Sequence, residues 1–426
     1  MTSTLTNYYD IIIIGAGIAG LYSAYNIKQM SPNSSFMVLE KYKKQWIGGR
    51  MSNEEFYGTT VVTGAGIGRK EKDHLLVGLL KQMHIKYSDF DINMNYIVDN
   101  KVSIDKIIKD LRREYKRLGS PITTFKSFAK SYLGAKEYND FITNVGYTDY
   151  ENEDVYQTLY KYGMDDNSTG WTGLDIPWKQ LIQKLVHTIG SNHVRSSNNV
   201  VSIMPIINGK INGKINGKIN DKINDGFGFE LVTEKGTTYY CGKVIIATTI
   251  TSIQKLLPQY KIYNHIKSQP FLRLYAKFPK ASAEIMRHLV PNYTIVSGPL
   301  QKIIPISVNK GVYMIAYSDN NNALVLKDHL ENTAKNREFF CDLLTKTLKL
   351  PDNTLQITAL LNFYWPVGTH YYTPLDHTLR SKFIDKAQHP MPNMLVVGEV
   401  VAPNQGWTEG ALDSVKNVLT KQWISA

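Results

Sequence analysis

The sequence predicts an α/β fold, and three observations predict it. Short apolar runs, "IIII" at 11–14 and "FMVL" at 36–39, read as buried parallel strands on either side of a segment with helical apolar spacing. A Gly-rich turn joins the first run to that helix. Further along, strand-like runs such as "VIIATT" at 244–249 alternate with helical patterns such as "SIDKIIKDLRREYKRLG" and "PWKQLIQKLVHTIG".

The first turn carries the chemistry. Gly15, Gly17 and Gly20 stand at G-x-G-x-x-G spacing, with Ile18 and Ala19 inside the motif. Gly15 permits the tight turn, Gly17 lets a pyrophosphate approach the backbone, and Gly20 lets the helix pack close to the strand. The free N–H groups at the helix start then face the phosphates. The second strand ends at Glu40, followed by Lys41. A carboxylate there accepts hydrogen bonds from an adenosine ribose. Gly-rich turns also serve plain strand–helix packing, but the strand, helix and Glu40 together predict a Rossmann-like dinucleotide site.

Composition bounds the rest. The 426 residues suffice for two or three domains' worth of core. Cys241 and Cys341 are the only cysteines and lie far apart, which excludes a disulfide framework and fits a reducing, cytoplasmic compartment. The opening "MTSTLTNYYD" has neither the basic region nor the apolar core of a signal peptide. No apolar run approaches the ~18 residues of a membrane span. The net charge is +12, but the basic residues are scattered and the chain is rich in Lys, Asn, Ile and Tyr, all encoded by A/T-rich codons. With no RNA-binding signature or zinc-finger spacing, a nucleic-acid partner and a metal site are not expected.

Beyond Glu40, "LEKYKKQWIGGRMSN" places Gly48, Gly49 and Arg50. Here, in "VVTGAGIGRKEKDH" with Gly64, Ala65, Gly66 and Ile67, and in the closing "NMLVVGEVVAPNQGWTEGALDSVKNVL", the chain resembles the flavin-containing amine oxidase family. The resemblance covers the whole length loosely and is specific in these three blocks. It implies noncovalent FAD, with Glu40 and the G-G-R segment on the adenosine and pyrophosphate side. Gly398 and Glu399 are implied to contact the cofactor backbone. Gly406, Trp407, Thr408 and Ala411 would open a helix whose positive end points at the flavin ring. The family often has an acidic residue before the second Gly-rich turn, where this chain has Val62 and Thr63.

Both chain ends then serve one cofactor, so the resemblance implies a discontinuous Rossmann-like FAD-binding domain of residues 1–69, 191–255 and 386–426. Residues 70–190 and 256–385 are left for an α+β substrate domain with a mixed sheet. In the middle FAD segment, Val200 or Val201 is expected at the adenine, and Ala247 and Thr248 end a strand where the family continues with proline and this chain has Thr249. The low-complexity run "INGKINGKINGKINDKIND", residues 207–225, falls at the tip of the hairpin between these strands. Its four-residue period leaves no room for strands beside each Asn-Gly pair, so it reads as a polar loop insertion. Growing a tip from roughly four to roughly twenty-two residues costs only about 1.5 kcal/mol of closure entropy.

The family implies hydride transfer from the carbon beside an uncharged amine, O2 reoxidation and hydrogen peroxide release. Two aromatic rings guide the amine. Trp407 matches one by motif, and the other is expected from "YWPVGTHYYTPL", with Tyr371 first and Tyr372 second. Some members attach FAD to a cysteine beside that tyrosine, but the neighbour here is His370. The family's lysine at flavin N5 is replaced, by spacing, by Arg273 in "QPFLRLYAKFPKA", with Lys277 as the alternative. Arginine does not deprotonate and is a natural partner for a substrate carboxylate. Two other functions stay open: an FAD-dependent dehydrogenase or desaturase acting on a non-amine, and a structural flavoprotein with little turnover. The substrate is a small molecule in either enzymatic reading.

Overall fold

The computed structural model describes residues 7–164, 171–207, 210–211, 214–215 and 227–425. Strand β1 (Tyr8–Ile14), helix α1 (Ile18–Met30) and strand β2 (Phe36–Leu39) form the opening βαβ unit, with β1 and β2 parallel in the register Ile11↔Phe36 to Ile14↔Leu39. Their continuous apolar runs are explained by cover on both faces. Ile11, Ile13 and Val38 pack under α1, and Ile12, Ile14 and Leu39 pack on the opposite face.

Two helices expected in the substrate domain join this core instead. Leu76, Leu79 and Leu80 of α2 (His74–Gln82) and Leu181, Ile182, Leu185 and Ile189 of α3 (Trp178–Ile189) pack in the α1 cluster. Both helices carry an apolar stripe, and α1 offers a nearly all-buried surface to receive it.

The sheet continues from β1 to a meander of β3 (Val200–Ile207), β4 (Phe227–Thr233) and β5 (Thr238–Ile246). β5 runs parallel to β1 and, at its end, to the short strand Met394–Val396, so residues near the chain's two ends meet in one sheet. The repeat departs from its expected form. Lys210–Ile211 and Lys214–Ile215 are two-residue strands that extend β3 antiparallel, in the pairs Ile206↔Ile211 and Lys210↔Ile215. Residues 208–209, 212–213 and 216–225 of the repeat lie outside the described residues. Because these short strands only lengthen a sheet edge, deleting residues 209–224 should change stability by no more than about 0.5 kcal/mol. A fall in soluble yield or melting temperature on deletion would show that the repeat packs against the body.

The second sheet is built from β6 (Ile266–Lys277), β7 (Tyr293–Val296), β8 (Lys302–Ser307), β9 (Val312–Asp319) and β10 (Ala359–Tyr372). Its order is β10-β6-β9-β8-β7, completed by Met94–Ile97, which pairs parallel with β7. It is therefore mixed, as expected, and the amphipathic helix Ala334–Thr347 lies between β9 and β10. Helices Ile104–Arg117, Phe125–Val145 and Val155–Tyr160 share a separate apolar cluster. One irregularity shapes the site. β10 pairs Thr369 with Gln269 and Trp365 with Phe271, so residues 366–368 bulge out of register. Gly368 is needed there, because a side chain would collide with Phe271.

Candidate active site

A cavity of about 440 Å³ runs from the ends of β1 and β2 to the face of the second sheet. Its floor is the first turn. Gly15 has φ 103°, and any side chain there would strike the Ala247 carbonyl. A Cβ on Gly20 would strike the Gly15 carbonyl, which is why the helix can start so close to the strand. Gly17 lines the cavity and would meet nothing within 4 Å if it carried a Cβ. No side chain caps α1, so its first N–H groups are left for a ligand. The Glu40 carboxylate is anchored by the Ala16 N–H at 2.7 Å and the Tyr42 N–H at 2.9 Å. Gly17 and Gly48 form a parallel bridge, which brings the G-G-R segment against the first turn.

The middle of the cavity is organised by Glu399. Its Oε1 accepts the His370 N–H at 2.8 Å, and its Oε2 lies 2.6 Å from His370 Nδ1 and 3.4 Å from Arg50 Nη2. The Ile250 N–H points at His370 Nε2, 3.1 Å away, which assigns the proton to Nδ1. Arg50 also donates to the Gly368 carbonyl. Burial works against the Glu399 charge, but His370 and Arg50 outweigh it and hold the carboxyl down at about 2. His370 thus has both ring nitrogens engaged.

Helix α4 (Trp407–Val418) points its N-terminus into the same cavity. No side chain caps it, Gly406 has φ 86°, and Trp407 itself is held at φ 61°. A bulky residue in that region costs on the order of 1 kcal/mol, and such strain clusters at functional sites. Trp407 is 37% exposed and stacks on the Arg69 guanidinium, whose charge is paired with Asp73 at 2.7 Å. Glu409 in the first turn of α4 accepts the Leu75 and Leu76 N–H groups at 2.8 and 2.9 Å and so caps α2.

The far end lies against the second sheet. Arg273 is 3% exposed, and its Nε donates to the Gly64 carbonyl at 2.7 Å. Its guanidinium lies 4.2 Å from the Tyr317 ring and 5.0 Å from Phe271, and a Cβ on Gly66 would run into it. Arg273 therefore sits against the second Gly-rich turn. Trp365 lines the same end and donates to the Thr63 carbonyl at 2.8 Å. Two carboxylates also line the cavity. Asp149 accepts from the Tyr162 hydroxyl, and burial together with the charge of Asp319 pushes its carboxyl up to about 7. Burial also raises Asp319, which accepts from the Thr148 N–H at 2.9 Å and from Gln301 at 3.1 Å.

The expected site residues divide cleanly. Ile18, Ala19, Lys41, Gly49, Ala65, Ile67, Val200, Thr248, Gly398, Thr408 and Ala411 all border the cavity with Gly15, Gly17, Glu40, Gly48, Arg50, Gly64, Gly66, Ala247, Arg273, Glu399, Gly406 and Trp407, whereas Gly20 packs behind it on the Gly15 carbonyl. Val201 does not: it is 49% exposed, because alternate strand residues face opposite ways and Val200 takes the inner side. Tyr371 and Tyr372 do not either. They pair with Lys267 and Ile266 at the carboxyl end of β10, just past the bulge. Tyr372 is fully buried with its hydroxyl on the Ala402 carbonyl at 2.9 Å. The aromatic that this segment brings to the cavity is Trp365. Lys277 lies outside the lining as well, with its ammonium on the Phe278 and Lys310 carbonyls. Asp149, Tyr147, Tyr162, Tyr317 and Asp319 were not expected. The one local signal for them is a charge closing an apolar strand, as in "YMIAYSD".

Residues 13–81 match the family described as the NAD(P)-binding Rossmann-like domain. The matched segment holds the first turn, Glu40 and the G-G-R segment, so the amino-terminal part of the chain is a Rossmann-type dinucleotide-binding unit. The whole chain has the fold of solved amine oxidases. It superposes on a redesigned putrescine oxidase with TM-score 0.72 at 14% identity, over 99% of this chain and 100% of that one. It superposes on cyclohexylamine oxidase from Brevibacterium oxydans with TM-score 0.71 at 14% identity, over 98% of each chain. A protoporphyrinogen oxidase candidate from Exiguobacterium sp. gives 0.70 at 13% identity, over 99% of each. In sequence, the chain is 19% identical to an uncharacterised protein of Acanthamoeba polyphaga mimivirus, over 97% of this chain and 94% of that one.

Proposed function

We propose that this protein is an FAD-dependent oxidoreductase that oxidises a small amine, with O2 as the electron acceptor and hydrogen peroxide as a product. The observation that carries this reading is the convergence of two uncapped helix N-termini, at Gly17 and Gly406, on one cavity that ends at an aromatic-lined face of the second sheet. The residues present fit FAD. Beside the open approach at Gly17, the buried Thr248 Oγ1 and Gln405 Oε1 have no partner among the described residues, and both belong to cavity-lining residues. They suit a polar ligand running the length of the cavity. When bound, FAD supplies the hydride acceptor. The chain's own residues position and shield. The α1 N-terminus and Gly17 would hold the pyrophosphate, and Glu40 the ribose. The α4 N-terminus would stabilise negative charge on the ring system. Trp365, Trp407 and Tyr317 would exclude water and direct the substrate.

Attachment is noncovalent in this reading. Neither cysteine borders the cavity, burial pushes the Cys241 thiol up and out of its reactive range, and His370 has no free ring nitrogen. The purified protein should be yellow and should release all its flavin on heat or acid denaturation. Flavin that stays with the chain on a denaturing gel would refute noncovalent attachment. Colourless folded protein that takes up no FAD would remove the cofactor assignment itself.

A second reading keeps the cofactor and changes the substrate. Arg273 stands where a lysine is expected in an amine oxidase, and the protoporphyrinogen oxidase candidate superposes about as well as the amine oxidases. Peroxide release on a panel of amines separates the two. Turnover of the panel supports the first reading, and flavin bleaching by a polyene or porphyrinogen alone supports the second.

A further inference from the structure

Five carboxylates border the main cavity: Glu40, Asp73, Asp149, Asp319 and Glu399. Most are already engaged. Glu40 has a backbone N–H on each oxygen, Asp73 is paired with Arg69, and Glu399 holds His370 and Arg50. Asp319, the last residue of β9, is 3% exposed and takes the Thr148 N–H at 2.9 Å, the Thr148 hydroxyl at 2.5 Å and Gln301 at 3.1 Å, all on Oδ1. Asp149 differs. It is half-buried, and among the described residues its carboxylate accepts one hydrogen bond, from the Tyr162 hydroxyl to Oδ1. Its backbone is fixed from both sides. Asp319 grips the preceding residue, Thr148, and Gln269, at the edge of the β10 bulge, donates to the Asp149 carbonyl.

The charges around Asp149 come from two places. Tyr147, Tyr150, Glu153 and Tyr162 belong to its own segment, and Lys302, Tyr317 and Asp319 reach it from β8 and β9. Arg273 acts on Tyr147, Tyr317 and Lys302 in the same cluster. Burial and the charge of Asp319 push the Asp149 carboxyl up to about 7, while Tyr162 and Lys302 pull the other way. Lys302 is a weak counterweight, because burial holds its ammonium well below its usual range even against the charges of Asp319 and Asp149.

An amine reaches such a cavity as an ammonium at neutral pH, since these groups titrate between roughly 8 and 10. A hydride can leave the neighbouring carbon only when the nitrogen lone pair is free. Desolvation disfavours both the carboxylate and the ammonium, so in a dry site a proton shared between them moves toward the neutral pair. We infer that Asp149 is the proton acceptor for the substrate amine. Its Oδ2 takes one proton from the bound ammonium: an N–H bond breaks, an O–H bond forms, and the lone pair returns to nitrogen. Nothing is oxidised in this step, and the Tyr162 hydroxyl keeps its place on Oδ1. The inference rests on reading the main cavity as the site of amine oxidation, and it adds the residue that prepares the amine for it.

Two measurements on the purified holoprotein test it. Anaerobic flavin bleaching by benzylamine should rise with pH through about 7 in the wild type. Asp149→Asn should move that rise up to the ammonium's own range, so that bleaching falls about 100-fold or more at pH 7 and the deficit closes toward about pH 10. A rise at the same pH in both proteins, or an equal loss at every pH, overturns the proposal and leaves the amine reading intact. If Asp149→Asn does not fold, Tyr162→Phe serves. It removes a donor to the ionised carboxylate, so the rise should move to higher pH, and a rise that stays in place overturns the proposal. The second measurement needs no turnover. α,α-Dimethylbenzylamine has no hydrogen on the carbon beside its nitrogen and cannot be oxidised there. Its binding at about pH 8 should convert a carboxylate band into a carboxylic acid band in the difference infrared spectrum, and Asp149→Asn should lack the change. Binding without that change overturns the proposal. The acid band without flavin bleaching by any amine removes the oxidation reading instead and keeps Asp149 as the acceptor for a bound amine.

Discussion

Replacing Glu399 by alanine should destabilise the protein by about 3–5 kcal/mol, the cost of removing one partner from a buried charged pair. The variant would leave the His370 N–H, the His370 Nδ1–H and one arm of Arg50 without their acceptor, all in the wall of the cavity. The loss should also be visible in pH dependence. The Glu399 carboxyl is held at about 2, against 4.5 for an unperturbed glutamate. A depressed acid contributes stability above its unfolded value and loses it as pH falls toward the folded one. That contribution is roughly 3 kcal/mol, fully present above about pH 4.5 and gone near pH 2. Denaturant melts at pH 7 and pH 3 should therefore converge for Glu399→Ala and wild type as the pH is lowered. Glu399→Gln keeps one acceptor oxygen and should fall between them. Equal melting midpoints for wild type and Glu399→Ala at pH 7 would show that the carboxylate carries no such load. Flavin content should fall with stability, because Glu399 ties Arg50 and the bulge at Gly368 to the same wall.

The opening half of this site was legible because its chemistry is local. A strand, three glycines at fixed spacing, a helix and Glu40 lie within a short stretch, and the backbone constraints at Gly15 and Gly20 are properties of that stretch alone. The closing block was legible for the same reason: Gly406 and Trp407 mark a helix start whatever surrounds it. The aromatic partner of Trp407 was not. Choosing Tyr371 assumed a regular strand, and the bulge at 366–368 breaks the period of two, so Trp365 reaches the cavity and Tyr371 does not. Lys302, Asp149 and Asp319 were invisible for a different reason. Each belongs to a segment without a motif, and they become neighbours only when β8, β9 and the loop after helix Phe125–Val145 close on one another. The two-residue strands at 210–211 and 214–215 were not legible either, because they are too short for any pattern of alternation to announce them.

Replacing Arg273 by lysine should separate the two half-reactions of turnover. Lysine cannot keep the Nε donation to the Gly64 carbonyl and the stacking on Tyr317 together, since both depend on the planar fork. It also withdraws bulk from the contact with Gly66, leaving room for water beside the second Gly-rich turn. With a neutral amine, anaerobic flavin bleaching should change little, while reoxidation by O2 should quicken. With a carboxylate-bearing amine, bleaching should slow by about 10- to 100-fold, the worth of a charged hydrogen bond of roughly 1.5–3 kcal/mol. Stopped-flow absorbance reads both phases on one preparation. If bleaching by the two kinds of amine slows equally, Arg273 does not discriminate on charge and acts by packing Tyr317 and Gly64. If neither phase moves, the guanidinium does not face the reacting part of the cavity.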